Sequence, residues 1–310
     1  MRILITGSAG YLGSKAVSIL RSKGHEIFGI DVRMPADPNL YKGFVKGSVA
    51  DEAAMQKIFE AATPHAAVHL AFVVNVLHNE KKEEEIDVAG AEIFLNNCDN
   101  HKVKKIVFMS SAAAYGAHPD SKLPYTETSL VRGNQAYSYS RLKAQTDKMA
   151  AMFMRNYSHG TFVILRPCLF VGPNTANSFF EVLKFPVIPQ IRDKEGLRDI
   201  DFQFIHEDDM ADCLVASIEK DVRGIYNVAA DGTVKFSEIA RIAGKKRIAV
   251  PAWLLYPVTS LLWHCRLIAS PPGQLDFMRY TWIMDNSKMK QELFKPLHSS
   301  MEAFKAFIKT

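Results

Sequence analysis

No apolar run in this 310-residue chain reaches the roughly 18 residues that a membrane-spanning helix needs. The best candidate, Ala252 to Trp263, has 12 residues and is interrupted by Pro257. No secretory leader is expected either, because Met1-Arg2-Ile3-Leu4-Ile5 meets Thr6-Gly7 before an apolar core has any length. Cysteine is scarce. Cys98, Cys168, Cys213 and Cys265 lie far apart, and no pair has C-x-x-C spacing. Neither a zinc site nor a redox dithiol is indicated, so no metal is expected, and four free thiols fit a reducing cytoplasm. A strong charge of one sign is also missing. Lys plus Arg number 38 against 33 Asp plus Glu, net +5, with clusters only at Lys81-Lys82-Glu83-Glu84-Glu85 and Gly244-Lys245-Lys246-Arg247. A nucleic-acid partner would call for a denser basic stripe. There is no internal repeat, no low-complexity tract and no Gly/Ser/Pro-rich linker.

What the chain does have is 48% hydrophobic and 23% charged residues, an ordinary globular balance. Short β-branched runs alternate with helical patterns through the first half. Runs at Arg2–Ile5, Glu26–Ile30, Phe44–Lys46, Ala66–Ala71, Ile106–Met109 and Phe162–Leu165 are separated by helical spacing at 10–22, 55–62, 86–100 and 139–156. Such alternation predicts βαβ units and a parallel sheet. After Arg166-Pro167 the rhythm breaks. Phe202–Ile205 reads as a strand entering a helix, Ile225–Val228 as one more strand, and the chain from Thr233 as helical with proline breaks. The expected architecture is a Rossmann-like, doubly wound α/β domain (1–170 plus 201–232) with a smaller, mostly helical substrate-binding part (171–200 plus 233–310).

Thr6-Gly7-Ser8-Ala9-Gly10-Tyr11-Leu12-Gly13 joins the first strand to the first helix. Gly7 permits the tight turn, Gly10 lets backbone approach a pyrophosphate, and Gly13 lets helix and strand pack closely. The anion then meets unpaired N–H groups at a helix start. Asp31 follows 18 residues after Gly13, where an acid hydrogen-bonds a ribose 2′-hydroxyl and repels a 2′-phosphate. This favours NAD. Arg33 is the residue that would instead accept the phosphate of NADP.

Tyr139 and Lys143 are four apart on a predicted helix and share a face. An ammonium near a phenol lowers its pKa and fits it for proton exchange with an alcohol or carbonyl. Tyr137 has Arg141 at the same spacing, which is not a tunable ammonium. Ser110-Ser111 ends the fifth strand, at the sheet edge where ligands of open α/β folds bind.

With these features, the chain resembles the extended short-chain dehydrogenase/reductases, the NAD-dependent epimerase/dehydratase group. The matching motifs are Thr6-Gly7-x-x-Gly10-x-x-Gly13, Val68-His69-Leu70-Ala71, Val107-Phe108-Met109-Ser110-Ser111, Tyr115-Gly116, Tyr139-x-x-x-Lys143, Leu165-Arg166-Pro167, Phe204-Ile205-His206-x-Asp208-Asp209-Met210-Ala211 and Tyr226-Asn227-Val228. The resemblance implies a Ser111–Tyr139–Lys143 catalytic set, since the family's hydroxyl lies four residues before its Tyr-Gly pair. It implies a cofactor lined by Gly7, Gly10, Tyr11, Leu12, Gly13, Asp31, Arg33, Ser48, Val49, Leu70, Ala71, Phe72, Met109, Ser110, Tyr139, Lys143, Pro167 and Cys168. It also implies a homodimer built on helices near 86–101 and 139–157.

The departures from that family are informative. Ala112 and Ala113 stand where dehydratases and decarboxylases carry acids, so those reactions are not expected. Phe202, Pro271 and Leu169 stand where UDP-sugar 4-epimerases usually have two arginines and an asparagine, leaving Arg192, Arg198 and Arg279 as possible substitutes. Ser48 and Asp87 replace a usual aspartate and asparagine near the cofactor. Trp253–Trp263 reads as packing, or as an apolar lid. His69, His206 and His264 read as structural. The expected activity is NAD-dependent hydride transfer on a secondary alcohol or ketone, a small-molecule substrate of rather apolar character. A UDP-glucose 4-epimerase-like enzyme is the alternative, and a non-catalytic NAD(P) sensor a remoter one.

Overall fold

The computed structural model describes residues 1–175 and 178–309. In chain order the elements are β1 (Arg2–Thr6), α1 (Tyr11–Ser22), β2 (Glu26–Asp31), β3 (Gly43–Lys46), α2 (Glu52–Ala62), β4 (Ala66–His69), α3 (Glu80–Glu84), α4 (Gly90–Asn100), β5 (Lys105–Met109), α5 (Ser138–Asn156) and β6 (Thr161–Pro167). They continue with β7 (Leu169–Val171), β8 (Val187–Asp193), β9 (Gly196–Leu197), β10 (Asp201–Phe202), β11 (Phe204–His206), α6 (Glu207–Glu219), β12 (Gly224–Val228), β13 (Val234–Lys235), α7 (Phe236–Ile242), β14 (Lys246–Pro251), α8 (Ala252–His264), α9 (Asp276–Arg279) and α10 (Ser300–Ile308).

Seven parallel strands form the central sheet in the order β3-β2-β1-β4-β5-β6-β12. The chain winds outward from β1 through β2 to β3, then restarts on the other side at β4. This reversal makes a crevice at the carboxyl ends of β1 and β4. Side chains alternate between sheet faces, which explains the nearly continuous apolar strands. Ile3 and Ile5 join Ala16, Val17 and Leu20 of α1 and Leu214 and Ile218 of α6 on one face. Leu4, between them, joins Met55 and Phe59 of α2 and Phe94 of α4 on the other.

A third apolar cluster lies beyond the sheet and gathers Val171, Phe180, Ile188, Phe202, Phe204, Val234, Phe236 and Phe304. It is bounded by short strand pairs, β7 with β11 and β10 with β13, and by the three-stranded β14-β8-β9. The single strand read at Phe202–Ile205 is in fact two. β10 pairs antiparallel with β13, and β11 pairs parallel with β7. Between them, Gln203 uses both ends of its amide on the Met284 backbone. One helical pattern also departs from regularity. A π-turn at Glu85–Ala89 joins α3 to α4 and carries Asp87 into the interior.

Candidate active site

The sequence-predicted residues converge on one edge of the sheet, where β1, β2, β4, β5 and β6 end. Gly7 holds φ = 68°, and a Cβ there would lie 2.8 Å from the Ala71 nitrogen. A Cβ on Gly13 would sit 2.3 Å from the Gly7 carbonyl oxygen. Both positions therefore exclude any side chain, so the turn hugs the Leu70-Ala71 backbone and α1 starts close beneath it. Gly10 is the N-cap of α1 and offers no side-chain cap, and the first turn, including Tyr11 and Leu12, has no acid. Its N–H groups and positive dipole end are thus left for an external anion.

Asp31, at the end of β2, is buried. Its Oδ2 accepts from the Ala9 N–H at 3.0 Å and its Oδ1 from the Arg33 N–H at 3.0 Å. A carboxylate has lone pairs to spare for a ribose hydroxyl. The Arg33 side chain is exposed, with Nε 3.9 Å from Asp31 Oδ1. Ser48 turns its hydroxyl to the Ala50 N–H, and Val49 packs beneath Gly90.

Past β5 the two serines diverge. Ser110 Oγ donates to Asp147 Oδ2 at 2.6 Å, inside the protein. Ser111 Oγ accepts from the Ala113 N–H at 3.1 Å, and its hydroxyl acts on the Tyr139 phenol to lower its pKa. Tyr139, Lys143 and Asp147 fall at i, i+4 and i+8 on α5, and their shared face meets the sheet. Asp147 also takes Arg166 by both oxygens, at 2.6 and 2.8 Å, which fixes α5 against β6. That spacing signalled Asp147 in the sequence, but it was missed.

The expected lowering of the Tyr139 phenol is not the state found. Burial pushes it up to about 12, against a smaller opposing effect of the Ser111 hydrogen bond. Lys143 Nζ donates to the Met109 carbonyl at 3.0 Å and stands 3.5 Å from the centre of the Phe72 ring. Burial pulls Lys143 down to about 7, while Asp87 opposes the shift. Phe72 also packs edge-on against Tyr139, 5.5 Å between centroids. Asp87 accepts from the Val73 N–H at 2.8 Å, and its other oxygen is buried without a partner. Burial raises Asp87 to about 7. Pro167 closes β6, and Cys168, its thiol raised by burial, follows with its N–H on the Val228 carbonyl. Tyr137 is buried between Tyr139 and Phe277, and burial raises its phenol further than that of Tyr139.

The residues that stand in for an epimerase's polar contacts are elsewhere engaged. Phe202 is buried among Phe179, Phe204 and Phe236. Pro271 is buried, and the turn after it is so tight that a Cβ on Gly273 would meet the Ala136 carbonyl oxygen at 2.0 Å. Leu169 packs in β7. Arg198 pairs with Asp193 at 2.5 Å and with Glu195, and Arg279 lies 3.5 Å from the same Asp193. Arg192 is exposed on β8.

The Trp253–Trp263 stretch does not act as one lid. Trp263 stacks on His78, 3.7 Å between centroids, against the loop that carries Phe72, while Trp253 faces solvent. The three histidines have local roles. His69 bonds Thr6 Oγ1 at 2.9 Å, His206 caps α6, and His264 bonds the Ser260 carbonyl. Cys98, Cys168 and Cys213 are buried free thiols and Cys265 an exposed one.

Comparison with known proteins agrees with this geometry. Residues 3–229 match the family described as NAD dependent epimerase/dehydratase. An uncharacterized protein of Mycobacterium tuberculosis (strain ATCC 25618 / H37Rv) is 23% identical over 97% of this chain and 82% of its own. A UDP-glucose 4-epimerase of Corynebacterium glutamicum is 34% identical over 46% of this chain and 44% of its own. Among solved structures, the UDP-glucose 4-epimerase of Thermotoga maritima with UDP-glucose superposes with a TM-score of 0.74 at 21% identity, covering 100% of this chain and 98% of that one. The Thermus thermophilus UDP-glucose 4-epimerase with NAD gives 0.74 at 21% identity over the same shares. With more than half of its length under the family match and its glycine turn, parallel sheet and site edge arranged as that family requires, the chain belongs to the NAD-dependent epimerase/dehydratase family.

Proposed function

We propose that the protein is an NAD-dependent oxidoreductase that transfers a hydride between the nicotinamide and a secondary alcohol or ketone of rather apolar character. The residues present fit the cofactor. Gly7, Gly10 and Gly13 leave a cradle that a Cβ would fill, and the uncapped start of α1 suits a pyrophosphate. Asp31 suits the adenosine ribose and disfavours a 2′-phosphate. Leu70, Ala71, Phe72, Met109, Pro167 and Cys168 suit the nicotinamide half. When bound, NAD(H) supplies the acceptor or donor of the hydride. The chain's own residues handle the proton. Ser111 orients the reacting oxygen. Tyr139, held fully protonated at neutral pH by its pKa of about 12, is in the starting state for giving a proton to a ketone oxygen. Lys143 is the modulator that lowers the phenol for the reverse direction once its ammonium leaves the Met109 carbonyl.

The observation that carries the substrate class is the apolar setting of the three positions: Phe202 lies among Phe179, Phe204 and Phe236, Pro271 is buried, and Leu169 packs in β7. Arg198 is held by Asp193 and Glu195, and a buried diphosphate left unpaired costs several kcal/mol. The second reading, a nucleotide-sugar 4-epimerase, is favoured by the epimerases among the relatives. Calorimetry with UDP, together with NADH-dependent reduction of bulky apolar ketones, separates the two. The expected result is weak or no UDP binding and measurable ketone reduction. Micromolar UDP binding displaced by a UDP-sugar would overturn the first reading in favour of the second.

A further inference from the structure

Helix α8 is built inside out. Its buried residue is Thr259, and the hydroxyl of the half-buried Tyr256 donates inward to Asp276 Oδ1 at 2.6 Å. Trp253, Leu254, Pro257, Val258 and Leu261 are exposed instead, Trp253 to 77% and Leu261 to 65%. These positions recur at i, i+1, i+4, i+5 and i+8, which is one stripe along the helix. Leu267, just past its end, is exposed as well. Single exposed apolar residues are ordinary, but a contiguous stripe marks an interaction face.

The chain segment that carries this stripe is charged with one sign. From Ile239 to Leu275 there is no Asp or Glu, while Arg241, Lys245, Lys246, Arg247 and Arg266 fall within it. Lys246 and Arg247 on β14, and Arg266 after the helix, are exposed. None of the five forms an ion pair among the described residues. A symmetric contact with a second copy would set these cations against themselves, because a two-fold interface meets its own patch. The complementary partner is therefore anionic and apolar at once. Among the described residues no helix is long and apolar enough to cross a membrane. At 13 residues, α8 is about 20 Å long and suited to lie in the plane of a bilayer surface.

We propose that α8 docks the protein on an anionic lipid surface, with the Trp253–Leu261 stripe among the acyl chains and Lys246, Arg247 and Arg266 on the headgroups. An apolar face with a basic patch supplies the two signals that stable, reversible membrane attachment needs. The inward side of the same helix reaches the site loop: Trp263 stacks on His78, in the loop where Val74 and Leu77 are exposed and Phe72 touches Tyr139.

The test is co-sedimentation of the full chain with phosphatidylcholine vesicles, with and without phosphatidylglycerol. Neither arm depends on which substrate the enzyme takes. Three cations near an anionic surface predict tighter binding to the anionic vesicles by on the order of 10²-fold, falling with added salt. Trp253→Ser with Leu261→Gln should abolish binding, and Lys246→Glu with Arg247→Glu should remove the anionic preference. Circular dichroism and NADH titration should show both variants folded. Failure of the unaltered protein to bind anionic vesicles would overturn the proposal. So would a dimer in ultracentrifugation that the Trp253/Leu261 variant dissolves, which would give the face to a second copy, or binding confined to an acidic protein partner.

Discussion

Ser110 spends its hydroxyl on Asp147, 2.6 Å away and already gripped by Arg166, while its neighbour Ser111 faces Tyr139. The adjacent serines thus belong to different systems, one holding α5 to the sheet and one belonging to the proposed chemistry. Ser110→Ala should lower stability by about 1.5–3 kcal/mol, the scale of a hydrogen bond to a charged group, with a modest effect on turnover. Ser111→Ala should lower kcat far more than Ser110→Ala does, with a stability cost of about 0.5–2 kcal/mol from the lost cap on the Ala113 N–H. Denaturant titration beside steady-state kinetics of both variants checks this, and the reverse pattern would reassign the catalytic hydroxyl.

Tyr139→Phe should lower kcat by on the order of 10²-fold or more, the scale of general acid/base catalysis, with NADH binding intact. Tyr137→Phe should be mild, since Tyr137 is a packing residue between Tyr139 and Phe277. An inactive Tyr137→Phe beside an active Tyr139→Phe would exchange their roles.

The proposed determinants of cofactor choice are Asp31 and Arg33. NADH should bind more tightly than NADPH, and Asp31→Ala should narrow the gap by removing the repulsion of a 2′-phosphate. Fluorescence titration with both nucleotides decides it. Tighter NADPH binding by the unaltered protein would shift the determinant to Arg33, whose side chain is free in solvent 3.9 Å from the carboxylate.

His69 sets an acid limit on stability. Burial between Phe94 and Phe108 lowers its imidazole to about 3, against 6.5 for the free side chain. Between those values the unfolded chain binds the extra proton. Stability from this group is complete above pH 6.5 and is lost as the pH falls toward 3, at up to about 1.4 kcal/mol per pH unit. His69→Phe should flatten that slope in urea titrations from pH 7 to 4. An unchanged slope would place the acid sensitivity in another group.

The parts legible in the sequence are those where local chemistry allows one solution. Gly7 and Gly13 are demanded by backbone contacts under 3 Å, and the i, i+4 pair Tyr139/Lys143 needs only a helix. What stayed hidden depends on distant or irregular partners. Asp87 is turned inward by a π-turn that no periodicity encodes. The approach of Arg279 to the Asp193–Arg198 pair requires α9 to meet the β8–β9 hairpin. The depression of Tyr139 expected from Lys143 fails here because burial outweighs it, a tertiary effect, while the Lys143 Nζ donates to the Met109 carbonyl.

The tight apposition of Gly273 and Ala136 bears on how such an enzyme can change its diet. The Pro-Pro-Gly turn touches the backbone just before the catalytic helix, Phe277 packs on Tyr137, and Asp276 bonds Asn134 at 3.0 Å. This wall of the site is continuous with the seating of Tyr139, so a side chain introduced at position 273 would displace the proposed proton donor along with the wall. New substrate scope is accessible instead through the part of the loop beyond Phe72 and Val73, where Val74 and Leu77 are exposed. Directed evolution toward other ketones should therefore accumulate changes at residues 74–78 and spare 271–277.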